Sequence, residues 1–293
     1  MRGVVDGVLH ERVLRWYDDA ARDLPWRAEG TGPWGVLVSE FMLQQTPVAR
    51  VLPVWTAWME RWPAPSDLVG AGPGEAVRAW GRLGYPRRAL RLHAAASAIV
   101  ERHDGQVPDT YEDLVALPGV GDYTASAVAS FAFGRRHVVL DTNVRRVLAR
   151  VLGGVELPGA SVTRAERLQA EAVLPDEPAV AASWAVGVME LGALVCTATS
   201  PRCGRCPVAD LCRWQTAGRP AYDGPPRRGQ TYAGTDRQCR GRLLGVLRDD
   251  RGPVHHSRLA AVWSDGPQRD RCLAALVSDG LAVQVPGDGY ALP

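Results

Sequence analysis

Four stretches carry side chains whose types and spacing could do chemistry. In "LVSEFMLQQT", residues 37–46, a single carboxylate, Glu40, stands among Val38, Phe41 and Leu43, and the run closes on two amides, Gln44 and Gln45. Apolar surroundings disfavour the charged form of a carboxyl, so an acid placed there tends to keep a proton that it can give away near neutral pH. In "VVLDTNVRRVLAR", 138–150, Asp141 ends an apolar stretch and Asn143 lies at or beside the start of a helix. By itself Asp141 reads first as an N-cap, accepting backbone N–H groups. Cys196, Cys203, Cys206 and Cys212 follow the spacing C-x6-C-x2-C-x5-C. Four thiolates in so short a loop can hold zinc or an iron–sulfur cluster. In "LPGVGDYTASAV", 117–128, Gly119 and Gly121 separate two helical segments. Glycines let a phosphate approach the main chain, and the next helix begins with N–H groups directed outward.

Composition narrows the setting. The 293 residues are 46% hydrophobic, enough for one large domain or a domain of roughly 200 residues with a smaller one. The formal net charge is +2, but every one of the 34 basic residues is arginine. Without lysine no side chain can form a Schiff base. Asp6, His10 and Glu11 interrupt the first apolar residues, unlike a secretory leader, and no apolar run approaches a membrane span. A cytoplasmic protein without membrane contact is expected, in which clustered cysteines mean a metal site rather than disulfides. Cys239 and Cys272 fall at apolar helical positions and read as small core residues.

The elements that must position these groups are helical. Apolar residues at helical spacing predict helices near 8–21, 34–44, 47–60, 74–80, 86–102, 111–116, 122–133, 143–153, 161–174 and 178–194, with prolines at the junctions. The first 215 residues therefore read as all-α. Residues 216–237 are rich in Gly, Pro and polar residues and read as a linker. Beyond lie helical patterns near 238–248, 256–262 and 267–279, then two short strands around Pro-Gly-Asp-Gly, which suggests a winged-helix-like module over 238–293.

Taken in order, "LPWR" (24–27), "SEFMLQQT" (39–46), "GRLGYPRRALRLH" (81–93), "LPGVGDYTA" (117–125), "LDTNVRRVLAR" (140–150), "MELGALVC" (189–196) and the cysteine loop resemble the helix-hairpin-helix DNA glycosylase superfamily, most closely its MutY-type adenine DNA glycosylases. The resemblance covers about residues 8–215. It implies a mainly α helix-hairpin-helix glycosylase domain over 1–215, with a [4Fe–4S] cluster held by the loop 196–212. It implies Glu40 as general acid, Asp141 as the carboxylate that stabilises the sugar cation, Asn143 as its supporting amide and Tyr123 as an active-site tyrosine. Trp26, Arg27, Leu43 and Glu190 match the adenine pocket. Gln44 matches a residue that fills space around the extruded base, Tyr85 a wedge in the base stack, and Gly119 and Gly121 the phosphate-gripping hairpin; Gln45 is a second amide suited to fill the gap and bond exposed base edges. Arg87 and Arg88 are candidate phosphate contacts, as are Arg82, Arg91, Arg135, Arg136, Arg145 and Arg146.

The implied activity is a monofunctional glycosylase of base excision repair, acting as a monomer at the bacterial nucleoid on double-stranded DNA with a mismatched or oxidised base pair. It would remove adenine opposite 8-oxoguanine or guanine. Relatives that also cut the backbone keep a lysine where this chain has Tyr123. The chain departs from MutY-type proteins after 237, where a Nudix-related domain would inspect 8-oxoguanine. Pro86 and Thr142 are smaller departures. Two other readings stand beside this one: a thymine or uracil mismatch glycosylase, against which Glu40 speaks, and a non-catalytic iron–sulfur DNA-binding regulator.

Overall fold

The structure, a computed structural model, describes residues 2–225 and 232–293. Its helices in chain order are α1 (Arg2–Ala20), α2 (Pro33–Leu43), α3 (Val48–Arg61), α4 (Pro65–Ala71), α5 (Pro73–Ala79), α6 (Arg87–Arg102), α7 (Tyr111–Val115) and α8 (Asp122–Phe133). They continue with α9 (Thr142–Val151), α10 (Arg164–Ala172), α11 (Pro178–Leu194), α12 (Arg213–Thr216), α13 (Asp236–Asp249), α14 (His256–Ala260) and α15 (Gly266–Ser278). The strands are β1 (Val254–His255), β2 (Val283–Val285) and β3 (Gly289–Ala291), so the described residues before 250 are free of strand, as expected.

Three of these elements escape the sequence reading: α4, the four-residue α12 and β1. Residues 63–73 look like a proline-broken junction, yet Pro65 opens α4 at its first position, where a missing N–H costs nothing. Asp67 Oδ2 accepts the Ala64 N–H at 2.9 Å and stops that end from fraying. β1 is only two residues long, too short for any periodicity to show.

The chain forms two compact units, one gathering 2–36, 109–115 and 121–225, the other 37–108, 116–120 and 232–293. In the first, α9 presents Val144, Val147, Leu148 and Val151 at helical spacing to Trp184, Val188 and Leu191 of α11, and α11 in turn packs against α1, whose Leu9 and Val13 join the same core. Gly192 makes the α9–α11 approach possible: a Cβ there would lie 2.6 Å from Asn143 Cβ and 2.9 Å from the Asn143 carbonyl.

In the second unit α6 buries Ala89, Leu92, Ala95, Ala96 and Ile99 against α4 and α5. Trp58 meets Trp62 and Trp80 edge-on at 4.8 and 5.6 Å, pairs worth about 1 kcal/mol each beyond their burial. The C-terminal segment belongs to this unit. α13 and α15 enclose Cys239, Leu243, Leu247, Cys272, Leu273 and Leu276, with an antiparallel sheet in the order β1-β3-β2 beside them. Half-buried arginines fasten it to α5: Arg248 Nε donates to the Val77 carbonyl at 2.8 Å, and Arg78 Nη1 to that of Asp250 at 2.6 Å. Arg87 and Arg240 both pair with Asp279. Of the expected linker, 226–231 lie outside the described residues. No helix among the described residues is long and apolar enough to cross a membrane.

Candidate active site

Within the second unit, α2 carries Glu40 at 5% exposure, flanked by Leu37, Val38, Phe41 and Met42, all at 1% or less. Leu43 and Gln44 follow half-buried, and Gln45 is exposed. Gln45 has φ 55° and Tyr85 φ 46°, left-handed values that cost non-glycine residues about 1–3 kcal/mol and persist only where the surroundings enforce them. Tyr85 is doubly constrained because Pro86 follows it. One side chain enforces both turns. Arg88 donates to the carbonyls of Phe41 (2.8 Å), Met42 (3.0 Å), Gln44 (2.6 Å) and Gly84 (3.0 Å) and to Thr46 Oγ1 (2.9 Å). Trp80 Nε1 adds a second donor to the Gly84 carbonyl, and Thr46 Oγ1 reaches that of Leu83.

Arg88 thus departs from its expected place among phosphate contacts. It is 4% exposed, and its guanidinium caps the carbonyls that α2 leaves open at its C-terminus. Burial lowers its pKa to about 10. Arg145 and Arg146 are likewise buried. Arg87 stays exposed and pairs with Asp279.

Within the first unit, Glu190 on α11 is fully buried. Its Oε1 accepts from Arg22 Nε (2.6 Å) and the Arg22 backbone N–H (3.1 Å), its Oε2 from Arg22 Nη2 (2.8 Å) and Arg27 Nη2 (2.9 Å). Burial alone would raise the Glu190 pKa, but the hydrogen bonds from Arg22 and Arg27 hold it down at about 2. Trp26 is buried in the 3-10 turn Pro25–Arg27 beside them. Arg27 Nη1 is buried and has no acceptor among the described residues. Arg22 was missed in the sequence, because it follows the end of α1 and its pairing partner lies 168 residues away.

Asp141 caps α9: Oδ1 accepts the Val144 N–H at 2.6 Å, and Oδ2 accepts from Asn143 Nδ2 at 2.7 Å. It is therefore an N-cap and an amide-supported carboxylate at once. Asn143 Oδ1 accepts from Arg146 Nη2 (2.8 Å), and Arg146 Nε donates to the Cys196 carbonyl (2.7 Å). Polar neighbours alone suggest an ordinary aspartate. Burial instead raises the Asp141 pKa, against the pull of the Val144 N–H, the Asn143 amide and the Arg146 charge. Tyr123, on α8, lies half-buried against Ala127, Val139 and Ala185. Gly119 sits at φ +77°, where a Cβ would come within 2.6 Å of Arg91 Cβ. A Cβ on Gly121 would meet nothing within 4 Å, which leaves the start of α8 open to a ligand's approach.

Cys196, Cys203, Cys206 and Cys212 line one cavity, walled by Val147, Val151, Leu191, Val195 and Trp214. Among the described residues no group of His, Cys, Asp or Glu closes around a single ion. Arg150 Nη1 lies 3.3 Å from Cys196 Sγ and stacks over Trp214 at 4.6 Å. Burial, and then the neighbouring cysteines, push the Cys206 thiol up to about 11 despite a backbone hydrogen bond. Four thiolates become affordable here only with compensating positive charge, which iron supplies. The donor set fits an iron–sulfur group.

Comparisons with known proteins agree with this geometry. Residues 38–170 match the HhH-GPD superfamily of base excision DNA repair proteins, and 196–212 the iron–sulfur binding domain of endonuclease III. The chain is 53% identical over 282 residues to an adenine DNA glycosylase of Mycobacterium tuberculosis, covering 96% of this chain and 92% of that one. It is 35% identical over 212 residues to a thymine/uracil-DNA glycosylase of Pyrobaculum aerophilum, covering 71% and 92%. Among solved structures, a thermostable thymine-DNA glycosylase matches with a TM-score of 0.65 at 25% identity, over 74% of this chain and 99% of that one.

Proposed function

The chain belongs to the adenine DNA glycosylase family of HhH-GPD base excision repair proteins, and from that premise we propose that it removes adenine standing opposite guanine or 8-oxoguanine, with Glu40 as proton donor and Asp141 as the stabilising carboxylate. As an adenine DNA glycosylase it acts on DNA in base excision repair and binds an iron–sulfur cluster through residues 196–212. The observation that carries the residue assignment is Glu40, a carboxyl buried among apolar side chains one helical turn before the strained Gln44–Gln45 turn.

Adenine inside a duplex is out of reach, so the nucleotide is turned out at a cost of a few kcal/mol. Side chains inserted into the gap offset part of that. Tyr85 and Gln45, exposed and held in left-handed backbone, are suited to fill it, and Gln44 to bond the exposed edges. Gly119, Gly121 and the first N–H groups of α8 grip phosphate. Trp26, Arg27, Leu43 and Glu190 hold the base, with Glu190 kept charged by Arg22 so that Arg27 is fixed in direction.

Adenine leaves poorly until a ring nitrogen is protonated. Apolar burial favours the protonated form of a carboxyl, the form that can donate. As the C1′–N9 bond breaks, positive charge develops on the sugar and the Asp141 carboxylate stabilises it. Asn143 and the Val144 N–H hold that carboxylate in place, and Tyr123 completes the set. Water then adds to the sugar and leaves an abasic site. The cluster is of the [4Fe–4S] type; when bound by the four cysteines it ties together the loop that carries Arg202 and Arg205. Residues 238–293 form a winged-helix-like module, a reading supported by the order helix, strand, helix, helix, strand, strand.

The test is adenine release from duplexes with A·8-oxoG, A·G, T·G and U·G pairs, on the parent chain, Glu40→Gln and Asp141→Asn. Release of adenine alone, lost by about 100-fold or more in both variants while duplex binding survives, is the expected result. Thymine or uracil release that outpaces adenine release would transfer the chain to the pyrimidine-removing branch.

A further inference from the structure

Arg237, at the start of α13, lies over the ring of Tyr85 at 5.1 Å and over that of Tyr232 at 5.9 Å. Both rings are exposed, at 45% and 52%, and so is Arg237. Neighbouring arginines of the C-terminal segment are engaged elsewhere: Arg240 pairs with Asp279, Arg271 with Asp236, and Arg242 lies over Trp263. Arg237 has no carboxylate partner among the described residues; the two rings are what it touches.

This placement is enforced from both sides. The Tyr232 carbonyl accepts the Thr235 hydroxyl at 2.7 Å, and Thr235 in turn caps α13. Gln268 of α15 holds the same turn through the Gly234 carbonyl (3.0 Å) and Asp236 Oδ1 (2.9 Å). On the other side Tyr85 is locked in its left-handed turn by the bonds of Arg88 and Trp80 to the Gly84 carbonyl, with the Arg88 guanidinium 5.6 Å from the Tyr85 ring. The Arg248 and Arg78 bonds between α13 and α5 keep the two sides in register. An exposed ring–guanidinium–ring series is the arrangement that holds unstacked bases, because every base has a face to stack. The planar fork of an arginine also matches acceptors on a guanine edge while its face stays stacked on a ring, a combination that a compact ammonium does not offer.

We propose that Tyr85, Arg237 and Tyr232 form a stacking site for the purine left unpaired opposite the excised adenine, so that the C-terminal segment contributes a specificity-determining residue, Arg237. The proposal rests on reading Tyr85 as the wedge.

The test measures binding of full-length protein to duplexes carrying a non-cleavable adenine analogue opposite guanine, 8-oxoguanine or a site with no base. Arg237→Ala should weaken binding by about 10-fold where a purine stands opposite and by less than about 2-fold where no base does, with unchanged thermal melting. Arg237→Lys should stay close to Arg237→Ala, and Tyr232→Ala should show the same base dependence. An equal loss on all three duplexes, with rescue by lysine, would mean a phosphate contact and overturn the proposal, as would no loss at all. Tyr85→Ala separates the two readings. If it binds every duplex as the parent does, the wedge reading fails; if it weakens binding while Arg237→Ala does not, only the stacking site fails.

Discussion

The guanidinium of Arg88 donates to the carbonyl of Gln44 at 2.6 Å, and through the same side chain to that of Gly84, so two left-handed turns are held by one residue. Gln45 and Tyr85, the exposed residues of those turns, cannot relax independently. Arg88→Ala leaves the Gly84 carbonyl to Trp80 and that of Gln44 to Thr46, but takes the side-chain donor from the Phe41 and Met42 carbonyls at the end of α2, at about 1–3 kcal/mol for each one that water cannot reach. Loss of about 3 kcal/mol in denaturant unfolding is expected, with weaker duplex binding. Arg88→Lys should recover little, since an ammonium lacks the fork that spans both turns. Binding unchanged in a destabilised Arg88→Ala would show that the turns keep their shape without it.

Glu190 makes the first unit acid-sensitive. Its folded pKa of about 2 lies below the ordinary 4.5, so it contributes stability above pH 4.5 that is lost as pH falls toward 2. The full window is worth about 3 kcal/mol. Unfolding free energy measured from pH 6 down to pH 2.5 should fall along that window in the parent. In Glu190→Gln it should start lower and fall less over the same range. Parallel curves would remove Glu190 as the source.

Asp141 has the opposite sign. Its folded pKa is raised, so whatever stability it contributes is present below the ordinary aspartate range and is lost as pH rises through the folded value. The proposed role needs it ionised, and that costs stability at neutral pH. Asp141→Asn is therefore expected to melt no lower than the parent at pH 8 while releasing adenine at least 100-fold more slowly. Asn143→Ala removes a donor that favours the charged form, so the acid limb of the rate profile should move to higher pH. A limb that stays in place would mean that Asn143 does not tune the carboxylate.

Much of this was legible in the chain because local chemistry wrote it. Glu40 stands out as the one acid of an apolar helix, and Asp141 and Asn143 announce a helix start. The cysteine loop is self-contained within seventeen residues. What escaped were pairings set by packing. Arg22 meets Glu190, and Arg88 meets the end of α2, across 168 and 44 residues. Periodicity marks a face as polar or apolar but cannot tell a guanidinium that reaches solvent from one that turns inward to bare carbonyls. For the same reason Arg145 and Arg146 read as phosphate contacts although both are buried.

The cluster loop should be coupled to Asp141. Arg146 bonds both Asn143 and the Cys196 carbonyl, so loosening the loop frees the residue that supports the carboxylate. Purified protein should contain about four iron and four acid-labile sulfide per chain. Removal of iron by oxidation and chelation is expected to lower adenine release more than tenfold and to open amide exchange in α9 before α1. Iron loss with intact α9 protection would uncouple the two.

A lysine-free chain sets the last expectation. Strand cleavage by lyase chemistry passes through an imine between a protein amine and the abasic sugar, and reduction with borohydride traps that imine as a covalent adduct. All 34 basic residues here are arginine, whose guanidinium stays protonated and does not attack a carbonyl. By the resemblance, Tyr123 stands where strand-cutting relatives carry the lysine. Incubation with an adenine-containing mismatch should therefore yield abasic product that breaks only after heat or alkali. No adduct should form with borohydride beyond a trace removed by blocking the terminal amine. Tyr123→Lys supplies the missing amine at that position; a trapped adduct in this variant and none in the parent is the expected contrast. An adduct in the parent that survives terminal blocking would require another protein nucleophile and would contradict the monofunctional assignment.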